Sequence, residues 1–175
     1  TLSLTAGSYW QALLFVCAFI TVDVIARMLT SGPMSVTPWN PAIGVGVAFL
    51  VVAGLIWAPV MLIAMLCSEF IAVGLGLPGY KSPILPLVST IGYAALAGML
   101  RWYRPVLNEL LARTRDVIFF VLATAATTLF LAIASLLIYA AAHSDWRLDA
   151  TRLLGRYWIG DVLGILAFVP LTRRL

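Results

Sequence analysis

The chain has 175 residues, of which 63% are hydrophobic and 10% are charged. Because soluble domains carry roughly 25% charged residues, this composition excludes an ordinary soluble domain. The net charge of +4 comes from basic residues that cluster beside apolar segments, which is typical of membrane orientation and unlike a nucleic-acid-binding face. Cys17 and Cys67 lie in separate apolar stretches, so we interpret both as small core residues and not as a disulfide.

Long apolar runs, interrupted by Pro, Gly and charged residues, predict the fold class. A membrane-spanning helix requires about 20 mainly apolar residues, so we predict an all-α, polytopic transmembrane helical bundle that forms a single domain over residues 1–175. The residues before Tyr9 lack the basic region of a cleavable signal peptide, so the first apolar segment should remain as a span. The six predicted spans are 9–29, 42–57, 59–77, 83–100, 116–141 and 153–170.

Two interruptions decide how the first half of the chain is divided. The segment 31–41 holds three prolines, one glycine and no charge, which predicts a re-entrant or tightly packed loop. The apolar run 42–77 is too long for one span and contains Pro59, which can end one helix and begin the next. The alternative is one long kinked helix, which would leave five spans and move the N-terminus to the other side.

Basic residues in short loops predict the orientation, because such loops stay in the cytoplasm. The basic residues that carry this prediction are Arg101, Arg104, Arg113 and Arg115 between spans four and five, and Arg173 and Arg174 at the end. With six spans, both the N-terminus and the C-terminus are expected to be cytoplasmic.

Ionisable residues inside the apolar spans are the first candidates for a functional site, because each costs about 2.5–3.5 kcal/mol to insert. Asp23 and Arg27 stand four residues apart on one helix face, as a structural ion pair or as a ligand-facing pair. Glu69 lies near mid-span with no basic residue within one turn, so its partner must come from another helix or from a ligand. Alternatively, it is a protonated carboxylic acid that is hydrogen-bonded within the bundle.

The last span holds a second candidate region. Gly160 and Gly164 are spaced to let another helix approach closely, and Asp161 lies at the edge of that contact. We interpret Asp161 as a site residue or an essential structural residue. Arg156, four residues after Arg152, is a candidate site residue whose side chain could instead reach the lipid headgroups.

Several polar-tipped residues complete the list of candidates. Trp39, Asn40 and Tyr93 could line a pocket, although Trp39 and Tyr93, like Trp158, would by default anchor the chain at the membrane interface. Asp116 is expected to cap the fifth span. His143 alone makes a weak metal or pH-sensing site. We find no phosphate-binding glycine loop, metal-ligand cluster or nucleophile motif, so this segment is predicted to have no enzymatic activity, metal or cofactor.

Three short motifs, in this order, resemble the MASE1 family of bacterial membrane-associated sensor domains. They are Trp39-Asn40-Pro41-Ala42-Ile43-Gly44 with Trp57-Ala58-Pro59 after it, Arg115-Asp116-Val117, and Trp158-Ile159-Gly160-Asp161-Val162-Leu163-Gly164 running on to Pro170. The residues matched to the family's motifs are Trp39, Pro41, Gly44, Pro59, Arg115, Asp116, Trp158, Gly160, Asp161 and Gly164. The resemblance implies an input module in the bacterial inner membrane that forms a homodimer and is fused beyond Leu175 to a cytoplasmic output domain such as a histidine kinase or diguanylate cyclase.

The leading hypothesis is therefore a transmembrane sensory domain that binds a small molecule or a partner membrane protein within the bundle, surrounded by membrane lipid. Gly44 and Pro59 join Gly160 and Gly164 as its expected helix-packing residues. The alternative is a substrate-binding membrane subunit of a vitamin or cofactor transporter, since such subunits are similarly small helical bundles. A third hypothesis, a structural assembly subunit, would leave the buried carboxylates with packing roles alone.

Overall fold

The computed structural model describes residues 6–29, 39–75, 83–103, 113–142 and 150–174, and these residues form helices and short turns without a β-strand. Two short 3-10 segments cover Leu55–Trp57 and Val169–Arg174. The α-helices are α1 (Ala6–Met28), α2 (Pro41–Ala53), α3 (Ala58–Gly74), α4 (Ile84–Tyr103), α5 (Thr114–Ala142) and α6 (Ala150–Phe168). The prediction of an all-α bundle with about six helices is confirmed.

Five helical stretches are long and apolar enough to cross a membrane, so the chain is a multi-pass membrane protein. The exception is α2, whose 13 residues extend about 20 Å, less than the roughly 30 Å of a bilayer's hydrocarbon core. It ends at Ala53, before the predicted end of the second span at Trp57. The candidate spans are Tyr9–Met28, Leu55–Gly74, Ile84–Tyr103, Thr114–Ile138 and Leu154–Leu171.

The break between α2 and α3 occurs at Gly54 and not at Pro59. Gly54 has φ 106° and ψ 162°, a backbone conformation that residues other than glycine rarely adopt. Pro59 lies in the first turn of α3, where its missing N–H costs no helical hydrogen bond. The Met61 side chain of α3 reaches Gly46 of α2, which shows that the chain reverses its direction at this break. The two segments are therefore separate helices and not one kinked helix.

Successive helices run in opposite directions. Phe15 of α1 stacks on Phe49 of α2 with ring centroids 4.0 Å apart, while Phe19 approaches Gly46. Thr90 of α4 reaches Met65 in the antiparallel α3. Further pairs link α4 with α5 and α2 with the parallel α6: Tyr103 with Phe119, Gly92 with Leu131, and Gly44 with both Gly164 and Phe168. The beginning of α1 and the end of α6 consequently lie at the same end of the bundle.

The short α2 occupies the centre of the bundle, where it contacts α1, α4 and α6. Nine of its 13 residues are buried. In contrast, α1 packs against α2 and α3 at the periphery and exposes Trp10 and Leu14 to the surrounding lipid. Because lipid is as apolar as the core, packing and polar contacts must hold the helices together in place of the hydrophobic effect.

Candidate functional site

The backbones of α2 and α6 touch at two glycines. A Cβ atom placed on Gly44 would overlap the carbonyl group of Gly164, and one placed on Gly164 would overlap the carbonyl group of Asn40. The backbone N–H of Asn40 donates a hydrogen bond to the carbonyl oxygen of Gly160 at 3.0 Å. The first residue of α2, Pro41, is therefore held against the middle of α6, and the absence of a side chain at both glycines permits this approach.

Asp161 lies at this crossing and binds side chains from two other parts of the bundle. The Asn40 side-chain amide donates to Asp161 Oδ1 at 2.8 Å, and the Tyr93 hydroxyl donates to Asp161 Oδ2. Asp161 is 1% exposed and Tyr93 is fully buried. We call Asn40, Tyr93 and Asp161 the Asp161 triad. It joins the start of α2 with α4 and α6 through a single carboxyl group.

Local sequence places these three side chains at the crossing. Pro41 pre-sets the backbone for the start of α2, and the residue before a proline avoids the helical conformation, so Asn40 points its amide out of the helix. Tyr93 lies on the buried face of α4 with Ala97 and Leu100. Two neutral donors therefore satisfy both oxygens of the Asp161 carboxyl group, and interhelical hydrogen bonds of this kind contribute about 0.6 kcal/mol on average in membrane proteins and about 1.7 kcal/mol at most.

A second group of polar side chains joins α1 to α3. Arg27 Nε donates to Asp23 Oδ2 at 2.7 Å within α1, and Arg27 Nη2 donates to Glu69 Oε1 of α3 at 2.6 Å. The Ser68 hydroxyl also donates to Asp23 Oδ2, at 2.5 Å. We call Asp23, Arg27, Ser68 and Glu69 the ion cluster. The side chains of its three charged members are 14–15% exposed.

The ion cluster and the Asp161 triad lie on adjacent helices, because α1, which carries Asp23 and Arg27, packs against α2, whose N-cap residue Asn40 belongs to the triad. Together they contain three carboxyl groups (Asp23, Glu69 and Asp161) and the single guanidinium of Arg27. This excess of carboxyl groups favours the uptake of a proton or a cationic group over the binding of an anion. Within the described residues, no three His, Cys, Asp or Glu side chains are grouped as metal ligands.

Glu69 has the partner from another helix that its position predicts, and that partner is Arg27. The interfacial interpretation of Tyr93 is wrong, because its side chain is buried between helices. Trp158 donates its indole N–H to the carbonyl oxygen of Ala125 at 3.0 Å and thereby links α6 to α5. Of the other candidates, Trp39 is 53% exposed and Arg156 is exposed, away from the hydrogen bonds of either cluster.

One further interpretation requires correction and another requires an addition. Cys17 is exposed on the peripheral α1 and is not a core residue, whereas Cys67 is half-buried. Asp116 lies in the first turn of α5 as expected, but it is completely buried and also accepts a hydrogen bond from the Tyr103 hydroxyl at 3.3 Å. Asp116 therefore links α4 to α5 in addition to occupying the position that the capping prediction gives it.

Ser68 and the structural role of Arg101 were not predicted from the sequence. Arg101 Nη1 donates to the carbonyl oxygens of Val51 at 2.5 Å and Val52 at 3.4 Å. These carbonyls belong to the last turn of α2, where backbone acceptors lack partners within the helix. The spacing in α4 was the available signal, because Arg101 follows Tyr93 by about two helical turns. The charge of Arg101 predicted only the orientation of the chain in the membrane.

A groove of about 530 Å³ between α4 and α5 faces the lipid and lies apart from the two polar clusters. Its lining contains no ionisable side chain, so it offers no charged group with which to recognise a polar ligand. The lining residues are Val88, Ile91, Gly92, Ala95, Ala126, Thr127, Phe130 and Leu131.

Some predictions lie outside the described residues or side chains. They concern the loop over 31–38, the break at 78–81, Arg104, His143, and the side chains of Arg152, Arg173 and Arg174.

Comparison with family models, curated proteins and solved structures finds no match to this chain. The resemblance to the MASE1 family therefore stays a prediction, and the functional argument depends on the geometry of the two polar clusters.

Proposed function

We propose that this chain is the transmembrane sensory input domain of a bacterial signal-transduction protein. A small molecule or a partner membrane protein acts within the bundle, and α6 relays the change to a cytoplasmic output domain, such as a histidine kinase or diguanylate cyclase. One observation carries this proposal: Asp161 of α6 is bound at mid-helix by side chains from α4 and from the start of α2. A change in these contacts therefore acts directly on α6.

The excess of buried carboxyl groups supports a signalling role over a purely structural one. Asp23, Glu69 and Asp161 outnumber the single guanidinium of Arg27, and a purely structural bundle would not need this excess, because each charge inside the membrane is costly to insert. A ligand that binds this region shifts the helices by binding one arrangement more tightly than the other. The same feature also suits a substrate-binding subunit of a vitamin transporter, so the experiment must separate the two functions.

The proposed orientation places both ends of the chain in the cytoplasm of a bacterium, across the inner membrane. Arg101, at the end of α4, and Arg113 and Arg115, at the start of α5, support it, because they lie at the end of the bundle where α6 ends. Sensor kinases and cyclases of the kind that the resemblance implies act as homodimers, so a homodimer is part of the proposal.

The test uses the full-length native protein in its membrane. Asp161→Asn and Glu69→Gln are compared with Ile159→Leu, a lipid-exposed control on α6. We expect the two carboxyl variants to change kinase or cyclase output about fivefold or more at equal membrane levels, the lower range of typical coupling between sites. Output equal to that of the Ile159→Leu control would contradict the sensor proposal. Retention of a vitamin by the purified protein would favour the transporter alternative instead.

A further inference from the structure

We infer that α2 and α6 move as one unit, and that α4 holds this unit in register through two polar contacts, one at each end of α2. The consequence for signalling rests on the proposed function, in which α6 relays the change to the output domain. Movement of the α2 and α6 unit would displace the end of α6.

The contacts between α2 and α6 leave no room for independent sliding. At Gly44 and Gly164 backbone meets backbone, without a side chain that could change rotamer to accommodate movement. Asn40 adds a backbone hydrogen bond to Gly160 and a side-chain hydrogen bond to Asp161, so five residues fix the register of the two helices. Of all the helix pairs, α2 and α6 pack most extensively.

The contacts of α4 with this unit are different in kind. Tyr93 bonds Asp161 beside the start of α2, and Arg101 bonds the carbonyls of Val51 and Val52 at its end. Tyr93 and Arg101 are about 12 Å apart along α4, which is most of the length of α2. Between them the buried residues of α4 are Leu96, Ala97 and Leu100, whose contacts are apolar.

Apolar contacts do not fix a register as firmly as directional hydrogen bonds do. In a bilayer, an apolar side chain that leaves one helix finds an equally apolar partner in lipid or in the next turn. A hydrogen bond from Arg101 to the end of α2 is instead specific to two carbonyl oxygens, and its charge also complements the helix dipole there. Loss of either polar contact should therefore release the unit without separating α2 from α6.

Distances between spin labels test this inference without a ligand. Labels are placed, in pairs, on cysteines at three exposed positions in a Cys17→Ser, Cys67→Ser background: Val52 on α2, Trp102 on α4 and Leu171 just after α6. The Val52 and Leu171 pair reports within the unit. The Trp102 and Leu171 pair reports between the unit and α4. Pulsed electron paramagnetic resonance in lipid vesicles then compares the parent protein with Tyr93→Phe and Arg101→Gln.

We expect both variants to shift the Trp102 to Leu171 distance by about 1–2 Å, the scale of helix shifts at interfaces, or to broaden its distribution, and to leave the Val52 to Leu171 distance unchanged. Gly44→Ala should do the opposite, because its Cβ forces α2 away from α6. Arg101→Lys, which keeps the charge, should restore the parent distances in part and replaces Arg101→Gln if that variant does not reach the membrane.

Two results would overturn the inference: equal shifts in both label pairs, or unchanged distances in Tyr93→Phe and in the Arg101 variants. Neither result bears on output, which is measured separately on Asp161→Asn. If the label distances change as expected but Asp161→Asn leaves the output unchanged, the proposed function is refuted and the inference about the α2 and α6 unit is not.

Discussion

The ion cluster and the Asp161 triad both bury carboxyl groups inside the bundle, but they stabilise them differently. In the ion cluster, Arg27 bridges two carboxylates, and the charged side chains are 14–15% exposed. In the triad, neutral donors from Asn40 and Tyr93 hold an Asp161 that is 1% exposed. The first arrangement attaches a peripheral helix through opposite charges. The second connects central helices through hydrogen bonds that can be exchanged at lower cost.

This difference predicts that removing one partner from the ion cluster lowers the stability of the protein more than removing one partner from the Asp161 triad. Arg27→Gln leaves two carboxylates of α1 and α3 without their shared guanidinium. Breaking a buried ion pair on one side costs about 3–5 kcal/mol, and partial exposure places the expected loss near the lower value. Thermal unfolding in detergent measures it against Arg156→Gln, which removes an exposed arginine of α6. Equal stability of the two variants would contradict the anchoring role of Arg27.

The glycine crossing next to the triad should be nearly as sensitive. Gly164→Ala places a methyl group against the backbone of Asn40, and overpacking of this kind costs about 1–3 kcal/mol. Gly155→Ala is the matched control on the same helix, because no described atom lies within 4 Å of its new methyl group. We expect the unfolding temperature to fall in the first variant and to stay equal or rise in the second. A fall in both variants would point to helix propensity or insertion and not to the crossing.

Removal of one donor from the triad should have a smaller effect. Tyr93→Phe keeps the ring and the Asn40 hydrogen bond but deletes the hydroxyl that binds Asp161. Interhelical hydrogen bonds in membrane proteins contribute about 0.6 kcal/mol on average and about 1.7 at most, so we expect a loss of about 1 kcal/mol. Denaturant unfolding in detergent checks this value against Tyr9→Phe, which changes an exposed tyrosine. A loss above about 3 kcal/mol would place the triad with the ion cluster.

The smallest expected effect separates two buried serines. Ser68→Ala deletes a hydrogen bond to Asp23, with an expected loss of about 0.6 kcal/mol. Ser89→Ala should be neutral or stabilising, because its hydroxyl is buried with no hydrogen-bond partner among the described residues. Denaturant unfolding of both variants decides the matter. A larger loss at Ser89 than at Ser68 would mean that the ion cluster does not use the Ser68 hydroxyl.

The sequence predicts the local features of the molecule well. Helix positions follow from apolar runs, the start of α3 follows from Pro59, and the pairing of Asp23 with Arg27 follows from their spacing of four residues. Each of these features depends on neighbours within one or two helical turns. The break at Gly54 was missed because Pro59, five residues later in the first turn of α3, gave the stronger local signal, whereas glycine is compatible with a helix as well as with φ 106°.

The assembly of the candidate site could not be predicted in the same way. Lipid and protein core are both apolar, so the pattern of α5, which is apolar almost throughout, does not reveal its buried face. The same ambiguity hid the burial of Tyr93. Asn40 and Asp161 are both visible as polar residues, but only the packing of α2 against α6 brings them within 2.8 Å. The charge of Arg101 predicted the orientation of the chain but gave no indication of the carbonyl oxygens that the side chain binds.

A double-mutant cycle tests directly whether Asp161 physically joins α4 to the α2 and α6 pair. The free energy of unfolding is measured for the parent protein, Tyr93→Phe, Asp161→Ala and the double variant in the same detergent. We expect a coupling energy of about 0.6–1.7 kcal/mol between the two positions, because the second substitution removes a group whose partner is already lost. Additive effects of the two substitutions would show that Asp161 does not join α4 to this pair through Tyr93.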